Sequence, residues 1–242
     1  MAKHHDIPFE LPRVSVAARR RAARIYSALE ELHPDAHCEL NYRSPHELLI
    51  ATILSAQATD VSVNKATPAL FKRFPTPAHY AKATPADIEP YIKTIGLYRN
   101  KAKSVHAAMT RIVEEYDGQV PRTMEDLLTL RGVARKTAGV VLGEGFKINM
   151  GVVVDTHVER LSKRLGLVPP DATTAMTERY LMALFPRDKW MQLSHLLIFH
   201  GRRLSPARKN WESTDPLYKR FATPERIEKA LAQLHPPPAH LA

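Results

Sequence analysis

The segment over residues 47–56, ELLIATILSA, carries apolar side chains around nearly its whole circumference. A helix of that kind has no solvent face, so it has to lie in the middle of a helical domain with other helices around it. Its start is written in the residues before it: Ser44 at the cap, Pro45 in the first turn and Glu47 three residues after the serine. Elsewhere apolar residues recur mainly at helical spacing, and there are only nine Gly in 242 residues. The pattern predicts an all-α protein, long enough to bury one large core or two small ones.

In chain order, residues 1–16 hold two Pro and mixed charge and are expected to form a flexible arm. Residues 17–32 read as an amphipathic helix with Ile25 and Leu29 inward and Arg19, Arg20, Arg21 and Arg24 outward as a solvated face. The helix is broken by His33-Pro34-Asp35. Asp60 is expected to cap the helix DVSVNKATPALFKRF, and Thr84-Pro85-Ala86-Asp87 opens another. Further helices are predicted from Asp171 to about Phe185, over residues 190–199, and from Thr223 to about Leu234. Between Leu204 and Phe221 the periodicity is lost, and residues 235–242 read as a frayed tail.

Lys plus Arg number 35 against 25 Asp plus Glu, a formal net charge of +10, which favours polyanionic partners. No apolar run approaches a membrane span, and the basic N-terminus lacks the apolar centre of a signal peptide; a cytoplasmic, nucleoid-associated monomer is expected. Cys38 is the only cysteine. One thiol makes neither an internal disulfide nor a multi-cysteine metal or cluster site.

Residues 123–157 hold the densest functional signal. A short helix is predicted from Thr123, with Asp126 three residues on, then a tight turn at Arg131-Gly132-Val133-Ala134 and a second helix from about Arg135. Such a helix-hairpin-helix aims backbone N–H groups and the positive end of a helix at one point, which suits a DNA phosphate; Gly132, Val133, Ala134 and Arg135 are the candidate contacts. Lys136 lies directly behind the turn. Thr156 and Glu159 form a second capping-box pattern, with Asp155 just before that helix start. The stretch IGLYRNKA over residues 95–102 weakly echoes RGVARKTA, and two such turns in a basic helical protein make DNA the preferred ligand. Leu97, at the tip of the first turn, is either a packing residue or a wedge between bases. Gln57 has no role on spacing alone.

A lysine amine is a nucleophile towards carbon. With a phosphate held by the hairpin, the nearby electrophile is the deoxyribose C1′; attack there forms a Schiff base and expels the base, while Asp155 stabilises the oxocarbenium-like sugar or accepts the lysine proton. From the residues alone, a solvated Lys136 and a helix-capping Asp155 remain the plainer reading.

The segments ELLIATILSAQATDVSVNKAT, YIKTIGLYRNKA, LRGVARKTAGVV and VVVDTHVERL, taken in this order, closely resemble the endonuclease III family of helix-hairpin-helix DNA repair glycosylases, over residues 39–203. The resemblance implies two helical lobes flanking a DNA groove: a six-helix lobe with the hairpin over residues 37–149, and a lobe made of residues 17–36 and 150–234. It implies a bifunctional glycosylase and abasic-site lyase that removes oxidised pyrimidines from double-stranded DNA. Carried over by position, Lys136 resembles the Schiff-base nucleophile and Asp155 the catalytic carboxylate. Gln57 resembles the residue that fills the gap left by an extruded nucleotide, and Leu97 the residue that wedges into the stack.

Two departures stand out. The family hairpin usually reads Leu-Pro-Gly-Val-Gly, whereas this chain has Leu130-Arg131-Gly132-Val133-Ala134; Ala134 would be strained if that position needed a positive φ. Most members also carry four cysteines that hold an iron–sulfur cluster. Aligned on HGRR, this chain has Ser205, Glu212, Asp215 and Phe221 there, so no [4Fe-4S] cluster is expected; Trp211, Leu217, Tyr218 and Phe221 would pack the segment, with Arg208 and Lys209 facing DNA. The competing reading is a catalytically idle helix-hairpin-helix DNA-binding protein. A monofunctional glycosylase is disfavoured by Lys136.

Overall fold

The computed structural model describes residues 7–208 and 210–234, so the expected tail, 235–242, and Lys209 lie outside the described residues. The chain divides into two compact units, Cys38–Ile148 on the one hand and Met1–His37 with Asn149–Ala242 on the other. Among the described residues both are built of helices, and the only extended pairing is an isolated antiparallel bridge between Val14 and Leu234.

The second unit opens with α1 (Val16–Leu32), capped by Ser15, whose Oγ accepts from Ala18 N at 3.0 Å. Ile25 and Leu29 are fully buried, as the amphipathic pattern requires. Arg21 is not part of a solvated face. It donates to Leu165 O and Phe221 O, each at 2.7 Å, and to Gly166 O at 3.3 Å, and burial with Arg24 nearby lowers its pKa to about 10. Helix-end carbonyls lacking intrahelical partners supply the acceptors that draw this guanidinium inward. The arm expected over residues 1–16 is packed where it is described: Ile7, Phe9, Leu11 and Val14 lie partly buried against the core, with Arg179 4.7 Å over the Phe9 ring. Apolar residues spaced through 7–14 give this extended stretch an inner face.

The Cys38–Ile148 unit is assembled around α2 (Pro45–Ser55), whose Leu48, Leu49, Ile50, Ala51 and Leu54 are wholly buried. Ser44 caps it as predicted, its Oγ accepting from Glu47 N at 3.4 Å, while the Glu47 carboxylate accepts not from the cap residue but from Arg43 N before it, at 2.7 Å. Around it lie α3 (Asp60–Arg73), α4 (Pro77–Ala81), α5 (Pro85–Ile92) and α6 (Tyr98–Glu115). The cap of α3 is Thr59, not Asp60. Thr59 is extended and its Oγ1 accepts from Ser62 N at 3.2 Å, which leaves Asp60 as the first helical residue, complementing the helix dipole. Two further helices, α7 (Met124–Leu128) and α8 (Arg135–Val140), flank the predicted turn, and α8 runs into a π-helical turn at Val141–Gly145.

The chain then contributes α9 (Thr156–Arg164), α10 (Thr174–Leu184), α11 (Trp190–Arg203), the short α12 (Trp211–Thr214) and α13 (Pro224–Leu231) to the unit that contains α1. Its core runs from Ala22 and Ile25 through Leu161, Leu181 and Leu196 to Leu217 and Phe221.

Candidate functional site: a helix-hairpin-helix and a capped helix start

In the Cys38–Ile148 unit the hairpin forms as predicted. Thr123 Oγ1 accepts from Asp126 N at 3.1 Å and donates to Asp126 Oδ2 at 2.6 Å, setting the start of α7. The turn closes through Val133 N to Leu130 O at 3.1 Å, and buried Val133 pins it to the core. Gly132 has φ +81°, and a Cβ there would stand 2.8 Å from Ser104 Cβ. Both the backbone conformation and the close approach therefore require glycine. Ala134 has φ −96° and ψ 171°, an extended conformation at the cap of α8. The strain expected for an alanine at this position does not arise. Its methyl cannot accept a hydrogen bond, so α8 has no side-chain cap, and Gly132, Ala134 and Lys136 are all exposed at this helix start.

Two other candidates in the same unit share an unusual backbone. Gln57, exposed just beyond α2, has φ +55°, and Leu97, 60% exposed at the cap of α6, has φ +59°. A bulky residue held left-handed and unburied costs on the order of 1 kcal/mol or more without any packing return. The echo between the two turns is inexact: the left-handed residue is the glycine in one, Gly132, and the residue after the glycine in the other, Leu97. Asp117 and Lys147 also have positive φ.

In the other unit, buried Val152, Val153 and Val154 lead to Asp155, with Val153 N donating to Ser194 Oγ at 3.1 Å. Asp155 is itself the cap of α9: its Oδ1 accepts from His157 N and Val158 N, each at 2.8 Å. The capping box predicted for Thr156 and Glu159 does not form. Asp155 precedes Thr156 in the extended conformation that a cap needs, and Glu159 instead accepts from Lys163 Nζ at 2.8 Å and Thr174 Oγ1 at 2.7 Å, bonds that hold its carboxyl below the usual range.

Behind Asp155, α9 carries two arginines to which the sequence motifs assign no role. Arg160 Nη2 donates to Ser205 O at 2.9 Å, and Arg164 Nη1 donates to Ser205 Oγ and Pro206 O, both at 3.1 Å. Two arginines four residues apart on one helix were the available signal. The segment they grip is packed: Leu217 and Phe221 are buried, Trp211 and Tyr218 meet edge to face at 5.3 Å, and Arg164 lies 4.5 Å over Trp211.

Residues 50–187 match the model of the HhH-GPD superfamily of base excision DNA repair proteins. The chain is 50% identical over 199 residues to endonuclease III of Synechocystis sp., an overlap of 82% of this chain and 90% of the relative. It belongs to the endonuclease III family. As a member it is a base excision repair DNA glycosylase and lyase that acts on damaged bases. The Escherichia coli endonuclease III is 40% identical over 191 residues, 79% of this chain and 90% of that one. Among solved structures, a trapped endonuclease III–DNA covalent intermediate matches with a TM-score of 0.80 at 39% identity, covering 87% of this chain and 97% of that chain. A thermostable thymine-DNA glycosylase matches with a TM-score of 0.71 at 21% identity, a likeness of fold. Among the described residues no helix is long and apolar enough to cross a membrane.

Proposed function

We propose that Lys136 is the nucleophile and Asp155 the catalytic carboxylate of a bifunctional enzyme that removes oxidised pyrimidines. The Lys136 amine attacks C1′ of the extruded nucleotide; the C1′–N bond breaks and the base leaves with a proton. The sugar ring opens to a Schiff base, loss of a C2′ proton expels the 3′ phosphate by β-elimination, and water releases the lysine. Asp155 stabilises the positive charge that develops on the sugar or accepts the lysine proton, acting in the transition state and not in ground-state binding. The exposed start of α8, with Gly132, Val133, Ala134 and Arg135, holds a backbone phosphate. Gln57 fills the gap left by the extruded nucleotide and Leu97 wedges into the stack, offsetting the cost of unstacking.

The observation that carries this reading is the exposed Lys136 in the first turn of α8, directly behind a turn that only glycine can make at position 132. A relative's structure trapped as a DNA covalent intermediate supports the same chemistry. Borohydride reduction on an abasic duplex tests it. Wild-type protein is expected to cross-link and Lys136→Ala not to; equal trapping of both would remove Lys136 from the role, and no trapping by wild type would favour an idle DNA-binding protein.

The enzyme is proposed to work without an iron–sulfur cluster. Cys38 is the only thiol in the chain. It lies in the other unit from the four positions where the family's cluster cysteines align, and burial pushes its pKa up to about 11, away from the thiolate form that binds iron. Hydroxyl, carboxylate and phenyl groups at Ser205, Glu212, Asp215 and Phe221 do not replace four thiolates.

A further inference from the structure

The four positions aligned with cluster cysteines are not equivalent. Ser205, Asp215 and Phe221 are buried, while Glu212 is exposed. Asp215 Oδ1 accepts from Leu217 N at 2.8 Å and pairs with His200 Nε2 at 3.0 Å. His200 Nδ1 in turn lies 3.0 Å from His33 Nε2. On the other side, the Ser205 side chain is hydrogen-bonded to Asp215, and its Oγ accepts from Arg164 Nη1 at 3.1 Å. Two of the aligned positions thus belong to one continuous polar chain, His33–His200–Asp215–Ser205–Arg164.

With both histidines neutral, the chain has one consistent assignment of hydrogens. A carboxylate only accepts, so His200 Nε2 carries its proton and donates to Asp215. His200 Nδ1 is then bare and accepts from His33 Nε2–H, while Ser205 receives from Arg164 and gives its own hydrogen to Asp215. His33 Nδ1, at the end of the chain, is buried with no partner. The members come from five places: His33 caps α1, Arg164 ends α9, His200 is on α11, Ser205 follows α11 and Asp215 caps α12. Arg160 adds a second tie from α9 to Ser205 O.

We propose that this buried chain is a metal-free lock, occupying the place of a cluster, that holds Ser205, Asp215 and the described residues packed with them against α1, α9 and α11. The lock rests on the cluster-free reading above and deepens it: two side chains standing where thiolates would converge are already committed to each other. Because α9 begins at Asp155, the lock also steadies the helix whose cap is the proposed catalytic carboxylate.

The test uses the full chain and no activity readout. Iron and acid-labile sulfide are measured in wild-type protein from iron-replete cells, and native-state proteolysis within residues 204–222 is timed for wild type, Asp215→Ala, Ser205→Ala and Glu212→Ala. Wild type is expected to be iron-free. Cleavage is expected to be at least about tenfold faster in Asp215→Ala, several-fold faster in Ser205→Ala and unchanged in Glu212→Ala, because only the first two leave buried groups unsatisfied. Stoichiometric iron would overturn the cluster-free reading and the lock with it. Iron-free wild type with equal cleavage of all four proteins would overturn the lock alone. If Asp215→Ala does not fold, Ser205→Ala decides, since it deletes one hydroxyl and leaves the carboxylate in place; wild-type resistance in that variant rejects the lock.

Discussion

Gly132 faces Ser104 so closely that a Cβ on the glycine would stand 2.8 Å from the Ser104 Cβ and 3.0 Å from its Oγ. The hairpin turn is therefore set by two independent requirements, the left-handed backbone at φ +81° and the absence of a side chain. Gly132→Ala is expected to destabilise the protein by roughly 1–3 kcal/mol and to weaken DNA binding. Adding Ser104→Gly should recover the steric part only. Urea unfolding of the single and double variants separates the two, and a fully wild-type double variant would show that φ costs nothing here.

Asp155 combines a structural and a proposed chemical task, and these respond differently to substitution. Asn is as good a helix cap as Asp, so Asp155→Asn should unfold within about 0.5 kcal/mol of wild type, whereas Asp155→Ala loses about 1 kcal/mol with the cap. Both should bind an abasic duplex normally and lose on the order of 100-fold or more in turnover. An active Asp155→Asn enzyme would limit the residue to capping α9.

Leu97 at φ +59° offers a test of strain held for function. Leu97→Gly relieves the left-handed conformation and is expected to gain up to about 1 kcal/mol of stability, less the entropy that glycine adds to the unfolded chain. Excision from a paired duplex should fall, and strand cleavage at an abasic site in single-stranded DNA should not. Equal losses on both substrates would count against a wedge.

Acid should loosen the α1–α11 region before the rest. Burial, together with His200 and Arg203, lowers the pKa of His33 to about 4, with Asp35 and Asp215 opposing. A folded pKa below the unfolded value near 6.5 means that the unfolded chain binds more protons between the two, so this contribution is present above about pH 6.5 and lost as pH falls towards 4. Burial raises the pKa of Asp215, but its bonds from His200, Leu217 N and Ser205 outweigh that and hold it below the usual range, which moves its own loss to still lower pH. Thermal unfolding at pH 7 and pH 4.5 should show a smaller difference for His33→Gln than for wild type; an unchanged difference would remove His33 as the acid-sensitive group.

The elements around the proposed chemistry were legible because they depend on neighbours a few residues apart. Ser44 with Glu47, Thr123 with Asp126 and the glycine turn at 132 each declare themselves within four positions, and each forms as read. Where two local signals competed, the sequence pattern pointed to the wrong one. Asp155 took the cap of α9 from Thr156, and Thr59 took that of α3 from Asp60, because the capping residue is the one whose backbone is extended at the helix start.

By itself, then, the sequence determined the helical class, the buried α2, the hairpin with Lys136 behind its turn, and a single thiol. Only the tertiary structure decided that Ala134 is unstrained, that Arg21 turns inward to carbonyls of Leu165 and Phe221, and that His33 meets His200 across 167 residues of chain. A φ angle is set by the packing on both sides of a turn, and a hydrogen bond between distant segments exists only once the helices carrying its partners have docked; neither leaves a periodic trace in the order of residues.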